Sequence, residues 1–326
     1  MKDFWKKLKK PIMVQAPMSG VTDQAFRLML VKYGSPDVFW TEFICASALF
    51  SPKAQKYCFD VLKFSKKERP IVAQIFGANL KELEKASQIV AGLGFDGIDI
   101  NMGCPDRNVE KQGAGSALIK NPEQAVKVIR AVKKGAHSAG SGQADLPVSV
   151  KTRLGYSENE IKKWIPIILK ENVSAITVHF RSAKQAYAPP ARWELAKELI
   201  ELRNKYAPET LLIGNGDVQS LKHALQLVKE TGLDGIMIGR AVLGNPWFFS
   251  DKNPSLKQKL KAIIEHAGLL GPEKHWDTIK KHFHAYCKNF VGAKELREQL
   301  MKTKNASQAK EAVKNFIKDY KLRYNK

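Results

Sequence analysis

The sequence predicts a (β/α)8 barrel followed by a small all-α helical bundle, and three observations carry that prediction. Eight short, β-branched apolar runs recur between residue 11 and about residue 250, spaced by longer stretches of helical period. The runs are apolar almost throughout, the pattern of strands buried on both faces and hence of a parallel sheet. Eight such units over roughly 240 residues match the count and length of a closed barrel. A doubly wound open sheet needs fewer regular units, and VQAPMSGVTD at the first turn lacks the GxGxxG spacing of a dinucleotide fold.

Taken in order, the first strand is expected over 12–16 (IMVQA) and the second over 38–42 (VFWTE). The third, 71–76 (IVAQIF), leads into an amphipathic helix over 79–94. The fourth, 97–101 (GIDIN), opens into a glycine-flanked loop carrying Cys104, with a helix over 121–135 beyond it. HSAGSGQADLP (137–147) reads as a flexible connection, on the barrel face opposite the chemistry, into the fifth strand over 148–152 (VSVKT). The sixth, seventh and eighth strands are expected over 175–179 (AITVH), 211–215 (LLIGN) and 235–239 (GIMIG). After Pro246-Trp247-Phe248-Phe249 the pattern changes: apolar residues recur at helical spacing in LKQKLKAIIEHAGLL and AKEAVKNFIKDYKLRY, the signature of a small bundle. The chain therefore divides into a barrel over 1–250 and a helical domain over 251–326, with the aromatic residues at 247–249 packed between them.

Charge narrows the function. The 326 residues carry 54 Lys and Arg against 32 Asp and Glu, a net charge of +22. Residues 251–326 hold 18 of the cations and only 8 of the acids, so the helical part is disproportionately basic. Such an excess points to a polyanionic partner, most simply nucleic acid. No run approaches the ~20 apolar residues of a membrane span, and the basic MKDFWKKLKK start is not followed by a signal segment, so a cytoplasmic protein is expected. Four widely spaced cysteines without a CxxC fit free thiols in a reducing compartment. Histidines 266, 275, 282 and 284 include an HxH pair, but no cysteine or carboxylate arrangement supports a metal site, and none is expected.

In a barrel, chemistry lies at the C-terminal ends of the strands. There the sequence places Gln74, Asn101, Lys151 and His179, one each from the third to sixth strands. A lone buried amide or imidazole is usually structural; four polar groups at equivalent strand ends, one an ammonium that is costly to bury, point to a site. The glycine-containing turns GNGDV and IGRAVLGNP follow the seventh and eighth strands, where barrels commonly bind phosphate. A lysine, a histidine, an amide and a phosphate clamp in one mouth suit flavin mononucleotide (FMN), and a cysteine of pKa near ~8.5 is a reasonable acid beside it.

The residues that carry this reading also carry a family likeness. APMSGVTDQAFR (16–27), QIFG (74–77), DINMGCP (99–105), GSAL (115–118), VKTRLG (150–155), TVHFR (177–181), GNGDV (214–218) and MIGRAVLGNPW (237–247) together resemble the tRNA-dihydrouridine synthase family, in its bacterial branch with NMGCP. The resemblance implies an FMN-dependent enzyme, fed by NADPH, that reduces the C5–C6 bond of uridines in tRNA. It implies that Cys104 gives a proton to C5 while flavin N5 gives hydride to C6. Ala16, Pro17 and Met18 would line the flavin through their backbone, and Gln74, Lys151 and His179 would hold its ring. Asn215, Gly216, Asp217, Gly239 and Arg240 would hold its phosphate. Asn101, Arg153, Arg181 and Gln185 match positions beside the uracil or the tRNA strand, in a monomeric protein. The family's HGRT is here His179-Phe180-Arg181-Ser182, so the loop after the sixth strand is where a different local shape is expected. The glycines around Cys104 imply a mobile loop that closes over a flipped uridine. The alternatives are the same chemistry on ribosomal RNA, a dihydroorotate dehydrogenase type of FMN barrel acting on a free pyrimidine, and an RNA-binding barrel without catalysis. The second leaves the basic tail without a purpose; the third is opposed by the retention of Cys104, Lys151, His179 and Arg240.

Overall fold

The computed structural model describes residues 3–137, 145–271 and 275–324. Eight parallel strands form the sheet: β1 (Ile12–Gln15), β2 (Phe39–Cys45), β3 (Ile71–Phe76), β4 (Gly97–Asn101), β5 (Val148–Arg153), β6 (Ala175–His179), β7 (Leu211–Asn215) and β8 (Gly235–Ile238). They run in the order β1-β8-β7-β6-β5-β4-β3-β2. The ends of this order meet through a parallel bridge between Val14 and Val38, with the Gln15 N–H on the Val38 carbonyl at 3.2 Å, so the sheet curls into a ring. Every residue of β3, β4 and β6 is buried, as continuous apolar runs require.

Around the ring lie α1 (Gln24–Tyr33), α2 (Gln55–Val61), α3 (Leu80–Gly92), the single turn α4 (Arg107–Glu110), α5 (Pro122–His137), α6 (Ile161–Leu169), α7 (Ala196–Tyr206) and α8 (Leu221–Thr231). Their starts are written in the sequence. Asp23 accepts the Phe26 N–H at 2.9 Å to cap α1, Asn79 accepts from Lys81 and Glu82 to cap α3, and Ser220 accepts from His223 to cap α8. On α5, Ala125, Val128, Ile129, Val132 and Ala136 are buried at the three- and four-residue spacing that lays one face on the barrel. Gly135 lets α5 and α3 meet closely: a Cβ there would lie 2.1 Å from the Glu84 carbonyl oxygen.

The basic N-terminal stretch has a structural task. Phe4–Lys7 forms a 3-10 turn whose Trp5 is buried with Trp40, Ile12, Val72, Ala175 and Ile213, plugging the barrel interior. After β8 come α9 (Leu256–Leu269), α10 (Asp277–Tyr286), α11 (Ala293–Lys302) and α12 (Ala306–Tyr324). They dock on α1: the buried Phe26 ring lies 4.4 Å from His282 and 5.6 Å from His266, and Glu265 accepts from Lys32 Nζ at 2.8 Å and Tyr33 Oη at 2.5 Å. Trp247 packs on Tyr33 at 4.7 Å, and both Trp247 and Phe248 are buried, so these aromatics are packing residues.

The strand expectations hold to within a few residues, the largest difference being β2, which continues to Cys45. Of the proposed flexible connection 137–147, residues 138–144 lie outside the described residues. Among the described residues no helix is long and apolar enough to cross a membrane, and no group of three or more His, Cys, Asp or Glu could hold a metal ion. The HxH histidines point apart, with His282 buried against the Val21 carbonyl and His284 exposed.

Candidate active site

The C-terminal ends of the strands enclose a cavity of about 1120 Å³. Ala16, Pro17, Met18, Gln74, Asn101, Cys104, Lys151, Arg153, His179, Arg181, Asn215, Gly216, Asp217, Gly239 and Arg240 all line it. The sheet register explains the convergence: Asn101 pairs with Lys151, Arg153 with His179, and His179 with Asn215, so these side chains stand side by side around the ring. Gln185 alone among the expected residues is not at the cavity; its Oε1 accepts the Ser182 N–H at 2.9 Å and closes a local turn.

Lys151 rises from the floor with Nζ 3.4 Å from Asn215 Oδ1, while the Asn215 amide donates to the Met237 carbonyl at 2.8 Å. Burial, then the nearby Arg153 guanidinium, lower its pKa to about 8, so the ammonium still predominates at neutral pH. His179 is buried too, and Arg181 Nη1 lies 3.2 Å from its Nε2. Because a guanidinium only donates, Nε2 accepts and the proton sits on Nδ1. Burial, with the cations Lys151, Arg153, Arg181 and Arg240, holds the ring's pKa well below the usual value, so it is neutral.

The loops after β6, β7 and β8 are tied at Asp217, whose backbone is left-handed (φ 50°). Its carboxylate accepts from Arg181 Nη2 at 2.5 Å, the Ala191 N–H at 2.9 Å and Arg240 Nη2 at 3.0 Å. Arg240 remains largely exposed, with its guanidinium 5.1 Å from the Tyr187 ring centroid, and so keeps donors facing the cavity. Gly216 (φ 137°) has no room for a side chain, since a Cβ would lie 2.7 Å from the Ala191 Cβ. At Gly239 the nearest atoms to such a Cβ are 3.9 Å away, so the missing side chain leaves the backbone open to the cavity.

Arg181, expected beside the substrate strand, lines the cavity but is buried, with donors directed to the Pro189 carbonyl (2.6 Å), Asp217 and His179 Nε2, so it braces the wall. Phe180, the departure from HGRT, turns into the core and lies 4.8 Å from Trp193, leaving His179 and Arg181 on the cavity side.

The Cys104 loop is pinned rather than loose. Asn101 Oδ1 accepts the N–H groups of Gly103 (3.1 Å) and Cys104 (3.0 Å), as an Asx cap does. Arg153 Nε donates to the Gly103 carbonyl at 2.6 Å, and its Nη1 reaches the Ser182 and Ala186 carbonyls. Ser116 donates its N–H to the Cys104 carbonyl at 3.0 Å, and its hydroxyl lies 3.0 Å from the same oxygen and 2.6 Å from Glu110 Oε1. Gly115 (φ 60°) permits this approach, for a Cβ would lie 2.7 Å from that same carbonyl oxygen. The loop expected to be mobile from its glycines is held here by these hydrogen bonds, and Gly103 and Gly115 lie where a side chain would crowd the neighbouring backbone. Burial pushes the Cys104 thiol up, against the lowering influence of the Asp106 N–H, Arg153 and Lys151, and keeps it protonated at neutral pH.

Two residues escaped sequence reasoning. Asp99 lies fully buried in β4 beneath Gln74, and Tyr187 projects from the loop after β6 as a partly exposed wall. The signal for Asp99 was a carboxylate in the middle of an apolar strand; Tyr187, in a loop, had none.

The dihydrouridine synthase (Dus) family model matches residues 14–321. The "probable tRNA-dihydrouridine synthase 2" of Bacillus subtilis (strain 168) is 38% identical over 326 residues, covering 98% of each chain. A "probable tRNA-dihydrouridine synthase" of Staphylococcus epidermidis is 38% identical over 323 residues, covering 96% of each. Among solved structures, the fold resembles 2-naphthoyl-CoA reductase (TM-score 0.53, 9% identity, 73% of this chain and 49% of that one). It also resembles histamine dehydrogenase from Rhizobium (TM-score 0.51, 13% identity, 79% and 48%).

Proposed function

The chain belongs to the dihydrouridine synthase family, and from that premise we propose that it reduces the C5–C6 double bond of particular uridines in tRNA to 5,6-dihydrouridine, using FMN and NADPH. The observation that carries the proposal is the convergence of Gln74, Lys151, His179 and Arg240 on one cavity whose rim holds a half-buried, protonated thiol, Cys104.

The residues fit a flavin nucleotide. The cavity slightly exceeds the usual ~300–1,000 Å³ of small-molecule sites, which leaves room for a substrate base above a cofactor. Its lining includes four cations, Lys151, Arg153, Arg181 and Arg240, which suits a phosphate and a ring that becomes anionic on reduction. Gln74, Lys151 and His179 would hold the ring, with Ala16, Pro17 and Met18 beside it. Asn215, Gly216, Gly239 and Arg240 would hold the phosphate. Asp217 would join them through its backbone N–H, while its carboxylate fixes Arg240. When bound, FMN supplies the hydride for uracil C6.

The chain's own residues do the rest. Cys104 releases its proton to C5, on the terms set for a general acid by its position and protonation. Arg153 and Lys151 stabilise the thiolate left behind, and solvent returns the proton. Neutral His179 can donate only through Nδ1. Asn101 and Arg153 fix the donor loop, and Arg181 the opposite wall. Gln185 holds the loop after β6 in shape, giving the substrate strand a rigid edge.

A uridine in folded tRNA must leave its stack to enter this mouth, at a cost of a few kcal/mol. Lysine and arginine contacts to phosphates supply the compensating binding and make it salt-dependent. In this reading residues 1–250 are catalytic and 251–326 form the basic RNA-binding domain of a monomeric, cytoplasmic enzyme. On α12, Lys310, Lys314 and Lys318 are exposed in one i, i+4, i+8 row, the form a helix gives to a phosphate-tracking edge. The test is to map dihydrouridine in tRNA from cells with and without the gene: loss at discrete positions supports the proposal, and an unchanged map refutes it.

A further inference from the structure

A single chain of hydrogen bonds runs from the buried Asp99 to the backbone of Cys104. Register places Gln74, Asp99 and Ser149 side by side on β3, β4 and β5. Ser149 Oγ donates to Asp99 Oδ1 at 2.6 Å, and Gln74 Nε2 donates to Asp99 Oδ2 at 2.7 Å. Gln74 Oε1 then accepts from Asn101 Nδ2 at 3.1 Å, which leaves Asn101 Oδ1 to accept the N–H groups of Gly103 and Cys104.

The polarity of this chain is determined from both ends. An ionised carboxylate only accepts, so the amide of Gln74 must turn its NH2 toward Asp99 and its carbonyl toward Asn101. Backbone N–H groups only donate, so Asn101 must turn its oxygen to the loop and its NH2 to Gln74. Each amide has two orientations, and one alone satisfies Asp99 and the Cys104 loop together. All four side chains are buried, where an unmatched polar group is costly and water cannot substitute.

We propose that Asp99 is a positioning residue for the reaction: it sets the direction of the Gln74 and Asn101 amides and thereby holds Cys104 in place. The effect on turnover rests on Cys104 being the proton donor; the effect on the loop does not.

The test uses Asp99→Leu, which is close in volume but gives the Gln74 amide no acceptor, and the exchanged pair Asp99→Asn with Gln74→Glu. In the exchanged pair, the amide introduced on β4 would accept from Ser149 and donate to the carboxylate introduced on β3. That carboxylate would accept from Asn101, restoring the original direction at the loop. Two readouts need no cofactor: amide hydrogen exchange in the peptide containing Gly103 and Cys104, and alkylation of Cys104 by iodoacetamide followed by peptide mass mapping. Loosening the cap in the single variant speeds both by about tenfold, the factor of one ordinary hydrogen bond. The exchanged pair returns both to within about twofold of wild type. In the FMN-loaded single variant, the tRNA-dependent step slows by about tenfold.

Wild-type exchange and alkylation in a folded Asp99→Leu protein would overturn the proposal. Should that variant fail to fold, the exchanged pair decides: a folded protein with wild-type loop protection supports the directional role, and one with a loosened loop refutes it. If the loop loosens while Cys104→Ala keeps full activity, the proton-donor reading fails and the positioning of the loop stands.

Discussion

Acid should weaken this protein through one identifiable group, His282. The ring is buried between α1 and α9, with Nε2 2.9 Å from the Val21 carbonyl and Nδ1 without a partner. Protonation would place a second N–H in a pocket formed by Phe26, His266 and Tyr286. Burial therefore lowers the pKa from 6.5 to about 4; the Val21 carbonyl and Asp23 favour the charged form, and Lys281 opposes it. Because the folded pKa is depressed, the unfolded chain binds a proton over a window in which the folded protein does not. The stabilisation is complete above pH 6.5 and declines as pH falls toward about 4. From those two values, lowering the pH from 7 to 4 removes about 3 kcal/mol through this residue alone. His282→Gln keeps a donor for Val21 and removes the titration. Urea unfolding of both proteins across this range should show wild type losing about 3 kcal/mol more than the variant. Buried His179 has a lowered pKa as well and acts equally in both proteins, while the pKa of His266, lowered by burial and then by His282 itself, is relieved in part in the variant, which widens the expected difference. Parallel stability curves would refute the reasoning, whatever their offset at neutral pH.

Other perturbations probe separate parts of the molecule. Cys104→Ala should retain FMN and its reduction by NADPH but slow single-turnover tRNA reduction by about 10²–10⁴, the range for loss of a general acid; a wild-type rate would remove Cys104 from the chemistry. Glu68→Gln should lower stability by about 3–5 kcal/mol in denaturant titration, because Arg27 and Glu68 form a fully buried pair at 2.6 Å and the guanidinium would be left unpaired. That arginine also donates to the Thr22 carbonyl at 2.9 Å, so the first loop of the cavity should loosen with it. Changing Lys310, Lys314 and Lys318 together to Gln should weaken tRNA binding at low salt. It should also reduce the slope of log affinity against log salt by about 1 for each phosphate no longer engaged. An unchanged slope would take α12 out of the interface.

The barrel was legible because both-face burial writes itself locally: β3, β4, β6 and β7 run over 71–76, 97–101, 175–179 and 211–215 as the apolar runs indicate. Site positions were legible for a related reason, since strand-end polar residues in a barrel have one place to point. What remained hidden was set by partners distant in sequence. Arg153 reads as one more cation near substrate until its guanidinium is seen holding the Gly103, Ser182 and Ala186 carbonyls. Glycines beside Cys104 suggest motion, but Gly115 is there because the Cys104 carbonyl approaches it. Asp99 shows locally only as a carboxylate within an apolar strand; its role exists through the register of β3, β4 and β5.

The central claim is that the cavity at the strand ends reduces uridine within tRNA. Its most direct test is to supply the purified, FMN-loaded protein with NADPH and tRNA lacking dihydrouridine, and to read each nucleotide by mass spectrometry. The expected result is a gain of two hydrogens at defined uridines, absent with Cys104→Ala. A protein that NADPH reduces but that leaves every tRNA uridine unchanged, or that instead reduces a free pyrimidine, would contradict it.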